Sequence, residues 1–93
     1  MAQIIWTTRA LKDLRTINDY ISLDSIFYAK RFISKLIDRV DQLVDFSESG
    51  RIVPEKDDPQ IRELIEGNYR IFYRLNKDKV TILRIHNSAR KIK

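Results

Sequence analysis

The chain has 93 residues, of which 43% are hydrophobic and 33% are charged, and it contains one histidine and no cysteine. A chain of this length forms one domain, and it has too many apolar residues for intrinsic disorder. The missing cysteines exclude disulfides and thiolate chemistry, and a single histidine excludes paired-histidine catalysis, so we expect no metal and no cofactor. No apolar run approaches the roughly 20 residues of a membrane span. No export signal opens the sequence, so we expect a cytoplasmic protein without a membrane partner.

The net charge of +5 is distributed unevenly along the chain. Residues 1–58 carry nine Lys/Arg and ten Asp/Glu, whereas residues 59–93 carry nine and three. Positive charge confined to the last third of the chain favours an anionic partner, either a nucleic acid or an acidic protein. A basic surface that serves only solubility is the alternative.

The first half of the chain is predicted to form one strand and two helices. Residues 3–7 are rich in β-branched and aromatic side chains and indicate a short strand. Apolar residues then recur every three or four positions from Ala10 to Ile21 and from Ile26 to Val44, which is the pattern of amphipathic helices. Capping residues at 22–25 separate the two helices. We therefore expect an antiparallel helical hairpin over about residues 8–46.

The second half is predicted to form a loop, a sheet and a tail. Gly50, Pro54 and Pro59 indicate a loop over about residues 47–60. Three short apolar runs separated by turn residues predict an antiparallel meander over about residues 61–86, and residues 87–93 form a basic tail. The whole chain is thus predicted to be one α+β domain of order β-α-α-β-β-β. The helical hairpin packs on one face of a small, mainly antiparallel sheet.

Alternation within the meander separates a core face from a polar face. In the middle strand the polar face carries Arg70, Phe72 and Arg74, and the predicted core residues are Tyr69, Ile71, Tyr73 and Leu75. In the last strand the predicted core residues are Thr81, Leu83 and Ile85.

The connection at residues 76–78 sets the register between these two strands. Three connecting residues bring both predicted core faces to the same side of the sheet. The resulting pairs are Leu75 with Lys79, Phe72 with Ile82, and Arg70 with Arg84. Two facing arginines favour an anion bound between them, and a carboxylate of the preceding strand is the alternative partner.

The register of the first meander strand is open, because its turn at Gly67 can hold two or three residues. A three-residue turn places Arg62 in line with Phe72, where it adds to a basic patch. A two-residue turn instead places Glu63 beside Phe72, where its carboxylate neutralises Arg70. We favour three residues, because glycine suits the left-handed position of such a turn.

The polar face and the tail form the candidate site. Arginines around an aromatic ring suit a phosphate with a stacked base, and they suit an acidic, partly apolar protein segment equally well. The candidate target-binding or nucleic-acid-binding residues are Arg62, Arg70, Phe72, Arg74, Arg84, Arg90, Lys91 and Lys93.

The sequence resembles toxins of the RelE/ParE superfamily from bacterial type II toxin–antitoxin modules. The matching segments are WTTRALKDL at 6–14, GRIVPE at 50–55, REL at 62–64, NYRIFYR at 68–74 and ILRIHNSAR at 82–90. Their order and spacing carry the resemblance, which covers nearly the whole chain.

The resemblance implies a growth-inhibiting toxin that a cognate antitoxin wraps and neutralises. ParE-like members bind and inhibit DNA gyrase, whereas RelE-like members are ribosome-dependent mRNA endonucleases that use the open sheet face. RNA cleavage needs proton-transfer groups and cations that stabilise the charged phosphate. Only if the chain is such a nuclease, the candidate catalytic residues are Arg70, His86 and Arg90, with Glu55 as a weaker candidate. Arg70 matches the superfamily's sheet arginine, but the terminal tyrosine or histidine and the lysine pair of well-known nucleases have no counterpart in this sequence. We therefore favour DNA gyrase as the target. The alternatives are the ribosome with mRNA, or a non-toxic module that binds an acidic partner.

Overall fold

A computed structural model describes residues 1–88 of the chain. The predicted site residues Arg90, Lys91 and Lys93 lie outside the described residues. The elements are β1 (Gln3–Trp6), α1 (Thr8–Ser22), α2 (Ile26–Asp41), β2 (Arg51–Ile52), β3 (Ile61–Glu66), β4 (Tyr69–Asn76) and β5 (Lys79–Asn87). The predicted α+β fold is confirmed. Within residues 1–88, neither helix has the length and apolar character needed to cross a membrane.

The five strands form one mixed sheet in the order β1-β5-β4-β3-β2. β1 runs parallel to β5, and all the other neighbouring strands are antiparallel. A parallel pair needs a crossover connection, and the helical hairpin lies in that connection. β2 falls within the segment predicted as a loop, where its two residues pair with β3.

The helical hairpin covers one face of the sheet and encloses the core with it. The Thr7 hydroxyl accepts a hydrogen bond from the Ala10 amide (3.0 Å) and donates one to the Ile82 carbonyl (2.7 Å). The residue that caps α1 therefore also fixes the helix to β5. The buried core residues of the helices and strands include Ala10, Ile17, Leu36, Val40, Leu64, Ile71, Tyr73, Val80, Ile82 and Ile85.

The predicted register between β4 and β5 is wrong. The turn contains only Lys77 and Asp78, so Asn76 pairs with Lys79. The observed pairs are Leu75 with Val80, Phe72 with Arg84 and Arg70 with His86, in place of Lys79, Ile82 and Arg84. Lys77 adopts the left-handed conformation (φ 58°), which a sequence without glycine at this position did not indicate.

A β-bulge explains why the predicted core face of β5 is also wrong. Tyr73 pairs with Ile82 and Phe72 with Arg84, so Leu83 is an extra residue on β5. The bulge changes the spacing of core residues from two to three. Val80 and Ile82 are buried in place of the predicted Thr81 and Leu83, whereas Ile85 is buried as predicted. Leu83 instead lines a depression on the opposite face of the sheet.

The favoured register between β3 and β4 is wrong as well. The turn holds two residues, Gly67 and Asn68, with Gly67 at φ 59°, so Glu66 pairs with Tyr69. Glu63 consequently lies opposite Phe72, and Arg62 lies opposite Tyr73 rather than in line with Phe72. A two-residue turn with glycine first matches the twist of the two strands.

The Tyr73 hydroxyl holds the segment before β2 against the sheet. It donates a hydrogen bond to the Ser47 carbonyl (2.8 Å) and accepts one from the Gly50 amide (3.0 Å). Burial raises the pKa of this hydroxyl, which keeps it protonated. A Cβ atom at Gly50 would lie 2.5 Å from the same hydroxyl, so only glycine permits this approach.

Tyr73→Phe is expected to lower the free energy of unfolding by about 1–3 kcal/mol, because the buried Gly50 amide loses its partner. Urea denaturation followed by circular dichroism measures the change. Tyr28→Phe is the matched control, since the Tyr28 side chain is largely exposed. Loss of its hydroxyl should change stability by less than about 0.5 kcal/mol. Equal stabilities of Tyr73→Phe and the wild type would show that the hydrogen bonds of the Tyr73 hydroxyl contribute nothing to stability.

Candidate functional site

The candidate site lies on the face of the sheet opposite the helices. Tyr69, Ile71 and Tyr73 are buried toward the hairpin, so the alternate residues Arg70, Phe72 and Arg74 of β4 lie on the other face. We call this the open face. The neighbouring residues on β3 that share it are Ile61, Glu63 and Ile65.

A buried carboxylate occupies the centre of the open face. Glu63 is only 1% exposed, and each of its oxygens accepts one hydrogen bond, from Nε of Arg70 and from Nε of Arg51. Burial alone would raise the pKa of Glu63, but the hydrogen bonds from the two arginines outweigh it and hold the pKa below its usual value. Glu63 is therefore a charged anchor that joins β2, β3 and β4.

Two further carboxylates reach the open face from the loop between β2 and β3. Glu55 binds Arg70 through both carboxylate oxygens, at 2.9 and 3.2 Å, and Asp58 binds Arg74 at 3.1 Å. The hydrogen bond from Arg70 lowers the pKa of Glu55. The hydrogen bond from the Gln60 backbone amide lowers the pKa of Asp58, and the hydrogen bond from Arg74 lowers it further. Both carboxylates therefore stay charged at neutral pH.

Arg70 is the most constrained of the predicted site residues. Glu55 and Glu63 both bind it, and together they raise its pKa. The guanidinium also lies 4.8 Å from the centroid of the Phe72 ring, within cation–π range. The sheet arginine of the predicted site is thus held by three neighbours on this same chain.

Arg84 is paired by a residue that the sequence analysis missed. Its Nε lies 3.2 Å from Oδ2 of Asp13, and the same oxygen accepts the backbone amide of Ile85 at 2.9 Å. Asp13 is buried in α1 between Ala10 and Ile17. A charged residue on the apolar face of a helix is the signal that could have identified it.

Arg62 does not join the open face. Its guanidinium donates to the carbonyls of Glu48 and Gly50, both at 3.1 Å, so it supports the segment that precedes β2. The prediction that Arg62 extends the basic patch is wrong, because the two-residue turn at Gly67 moves it to the other face of β3.

His86 borders a depression of the open face and is the one candidate imidazole. The depression has a volume of about 340 Å³, and His86 lies opposite Arg70 at its rim. Its apolar walls are Val53, Ile61, Phe72 and Leu83. Of the candidate catalytic residues, the structure thus brings Arg70, Glu55 and His86 together. Residues 1–88 contain no cluster of three metal-ligating side chains.

The free energy of unfolding is expected to decline at low pH, where Glu63 becomes protonated. The pKa of Glu63 is lower in the folded protein than in the unfolded chain, where it is about 4.3. Ionised Glu63 therefore contributes fully to stability above pH 4.3, and this contribution is lost as the pH falls through the folded pKa. Glu63→Gln should lower the free energy of unfolding by about 1–3 kcal/mol at pH 7 and flatten its decline below pH 4.3. Chemical denaturation between pH 2 and 7 tests this, with the exposed Asp45→Asn as the control. Parallel pH profiles of Glu63→Gln and the wild type would contradict it.

Known proteins are similar to this chain over nearly all of its length. The family model described as ParE toxin of type II toxin-antitoxin system, parDE, matches residues 4–92. Toxin RelE2 of Caulobacter vibrioides is 38% identical over 91 residues, which are 97% of this chain and 99% of that protein.

Two solved structures share the fold. One is the chromosomal ParDE TA system from P. aeruginosa, with 27% identity, a TM-score of 0.75, and coverage of 94% of this chain and 96% of that chain. The other is the toxin-antitoxin complex RelBE2 from Mycobacterium tuberculosis, with 19% identity, a TM-score of 0.69, and coverage of 92% and 96%. With the family match at residues 4–92, the chain belongs to the ParE toxin family and is a type II toxin of the RelE/ParE superfamily.

Proposed function

We propose that this toxin inhibits DNA gyrase and that a cognate antitoxin neutralises it. The supporting observation is that carboxylates of the same chain bind Arg70, Arg74 and Arg84, the described arginines of the predicted polar face apart from Arg62. Glu63 and Glu55 bind Arg70, and the other pairs are Arg74 with Asp58 and Arg84 with Asp13. A gyrase inhibitor needs a shaped surface and no set of free cations.

The same pairs count against cleavage of RNA. Attack by a 2′-hydroxyl requires a base, an acid and cations aimed at the charged phosphate. Arg70 already binds two carboxylates, and Glu55 as a base would first have to leave Arg70. A phosphate that approaches Arg70 would meet two negative charges as well as the arginine.

The second candidate is a ribosome-dependent mRNA endonuclease. His86 lies opposite Arg70 at the rim of the depression, and Phe72 supplies an aromatic surface beside it. This arrangement brings one proton-transfer group, one cation and one stacking surface together. The relative named Toxin RelE2 also favours this function.

At saturating concentration the purified toxin should abolish DNA supercoiling by gyrase, because the toxin bound to gyrase blocks the enzyme. Relaxation of the same plasmid by a type I topoisomerase is the control and should be unaffected. Unchanged supercoiling would exclude gyrase as the target.

Codon-phased cuts in translated mRNA after induction, lost in Arg70→Ala and kept in Arg51→Ala, would establish the endonuclease instead. Arg51 is the matched control because it also binds Glu63.

An apolar patch at the turn of the helical hairpin is the proposed antitoxin contact. Five large apolar or aromatic side chains there are more than half exposed, and they are Tyr20, Leu23, Ile26, Phe27 and Tyr28. An exposed patch of this kind on a small domain indicates a protein interface. Neutralisation by the antitoxin also explains how the cell that makes the toxin survives it.

Phe27→Ser is expected to weaken binding of the cognate antitoxin about tenfold or more, because loss of an aromatic hot spot at an interface centre costs about 2 kcal/mol. Calorimetric titration measures the affinity. Leu11→Ser is the control, because Leu11 is also exposed but lies outside the patch. Equal weakening by both variants, or by neither, would place the antitoxin contact elsewhere.

A further inference from the structure

The open face combines bound arginines with an unfilled apolar depression. Arg70 and Arg74 lie four residues apart on β4, a separation of about 13 Å. The depression beside them is walled by Val53, Ile61, Phe72 and Leu83. Cationic groups at two points and apolar walls between them are complementary to a segment with two acidic residues and an apolar one.

The chain's own loop already supplies the acidic half of such a segment. Glu55 and Asp58 are three residues apart in a non-helical segment, and they bind Arg70 and Arg74 respectively. The side chain of Glu55 is 60% exposed and that of Asp58 is 37% exposed, so competing groups from solvent can reach both pairs. The pair of Asp58 with Arg74 is exposed on both sides and is therefore weak and exchangeable. In the pair of Glu55 with Arg70 only the carboxylate is well exposed, so Glu55 can leave while Glu63 keeps the arginine in place.

The ends of the loop are held independently of these two carboxylates. Val53 is 1% exposed, and the Gln60 carbonyl accepts the Leu75 amide at 2.8 Å. The two carboxylates can therefore leave the arginines while the loop remains attached to the sheet. Glu63 beneath them still neutralises part of the charge of Arg70, which disfavours a polyanion such as RNA relative to a single carboxylate.

We propose that the open face is a docking site for an extended acidic segment of a partner protein. Its carboxylates, spaced as Glu55 and Asp58 are, replace them on Arg70 and Arg74, and an apolar side chain enters the depression. In the free toxin the loop carboxylates occupy the site and weaken binding by competition. The proposal concerns binding by this chain alone and holds for either target of the toxin.

The test compares two double variants of the full chain. Glu55→Gln with Asp58→Asn removes the competing carboxylates, and Asp19→Asn with Asp24→Asn removes the same charge from the exposed surface of the helical hairpin. The probe is a labelled peptide with the sequence of residues 53–60, VPEKDDPQ, and its neutralised form VPQKNNPQ is the control. Fluorescence anisotropy at low ionic strength measures both affinities.

The first double variant should bind VPEKDDPQ about tenfold more tightly than the wild type, because two surface ion pairs no longer compete. The second should differ from the wild type by less than twofold, and VPQKNNPQ should show no gain. Adding Arg74→Gln to the first variant should remove the gain, and thermal melting should show that each variant is folded. No gain, or no binding, overturns the proposal. An equal or larger gain for an eight-nucleotide RNA overturns it in favour of a nucleic-acid surface.

Discussion

The buried carboxylate of Glu63 is the interaction on which the rest of the open face depends. A charge at 1% exposure is tolerated only when hydrogen bonds and opposite charges surround it, and Arg51 and Arg70 provide both. The pair with Arg51 fastens the two-residue edge strand β2, which has little pairing of its own. The pair with Arg70 orients that guanidinium toward Phe72 and toward Glu55 on the loop.

The positive charge of the protein is segregated along the chain, and its arginines on the open face are compensated by carboxylates in space. The last third carries the positive excess, but Asp13, Glu55 and Asp58 come from the acidic first 58 residues and fold onto its arginines. A charge count by segment therefore overstates how cationic the open face is. A nuclease needs cations directed at its substrate, whereas a toxin that acts by binding does not. Compensated arginines on this surface therefore fit a binding toxin better than a nuclease.

The fold could be predicted from the sequence much further than the site. Helical spacing in residues 10–44 and alternation in the meander are local patterns, and they were enough to predict an α+β domain with a helical hairpin on one face of the sheet. The registers failed at two turns and one bulge. Lys77 holds a left-handed conformation without being glycine, and Leu83 interrupts the alternation of β5, although neither residue type signals this locally. Each error of one residue moved a side chain to another partner or to the other face.

The sequence by itself determined the fold class, the superfamily resemblance and the types of residue available to the site, because periodicity, composition and motif order are properties of the chain alone. Only the tertiary structure decided which of these residues meet. It brought Glu63 beside Arg70, joined Asp13 to Arg84 across 71 positions, and moved Arg62 away from the open face. The physical reason is that ion pairs and strand register depend on turns of one or two residues and on long-range packing, which local patterns do not encode.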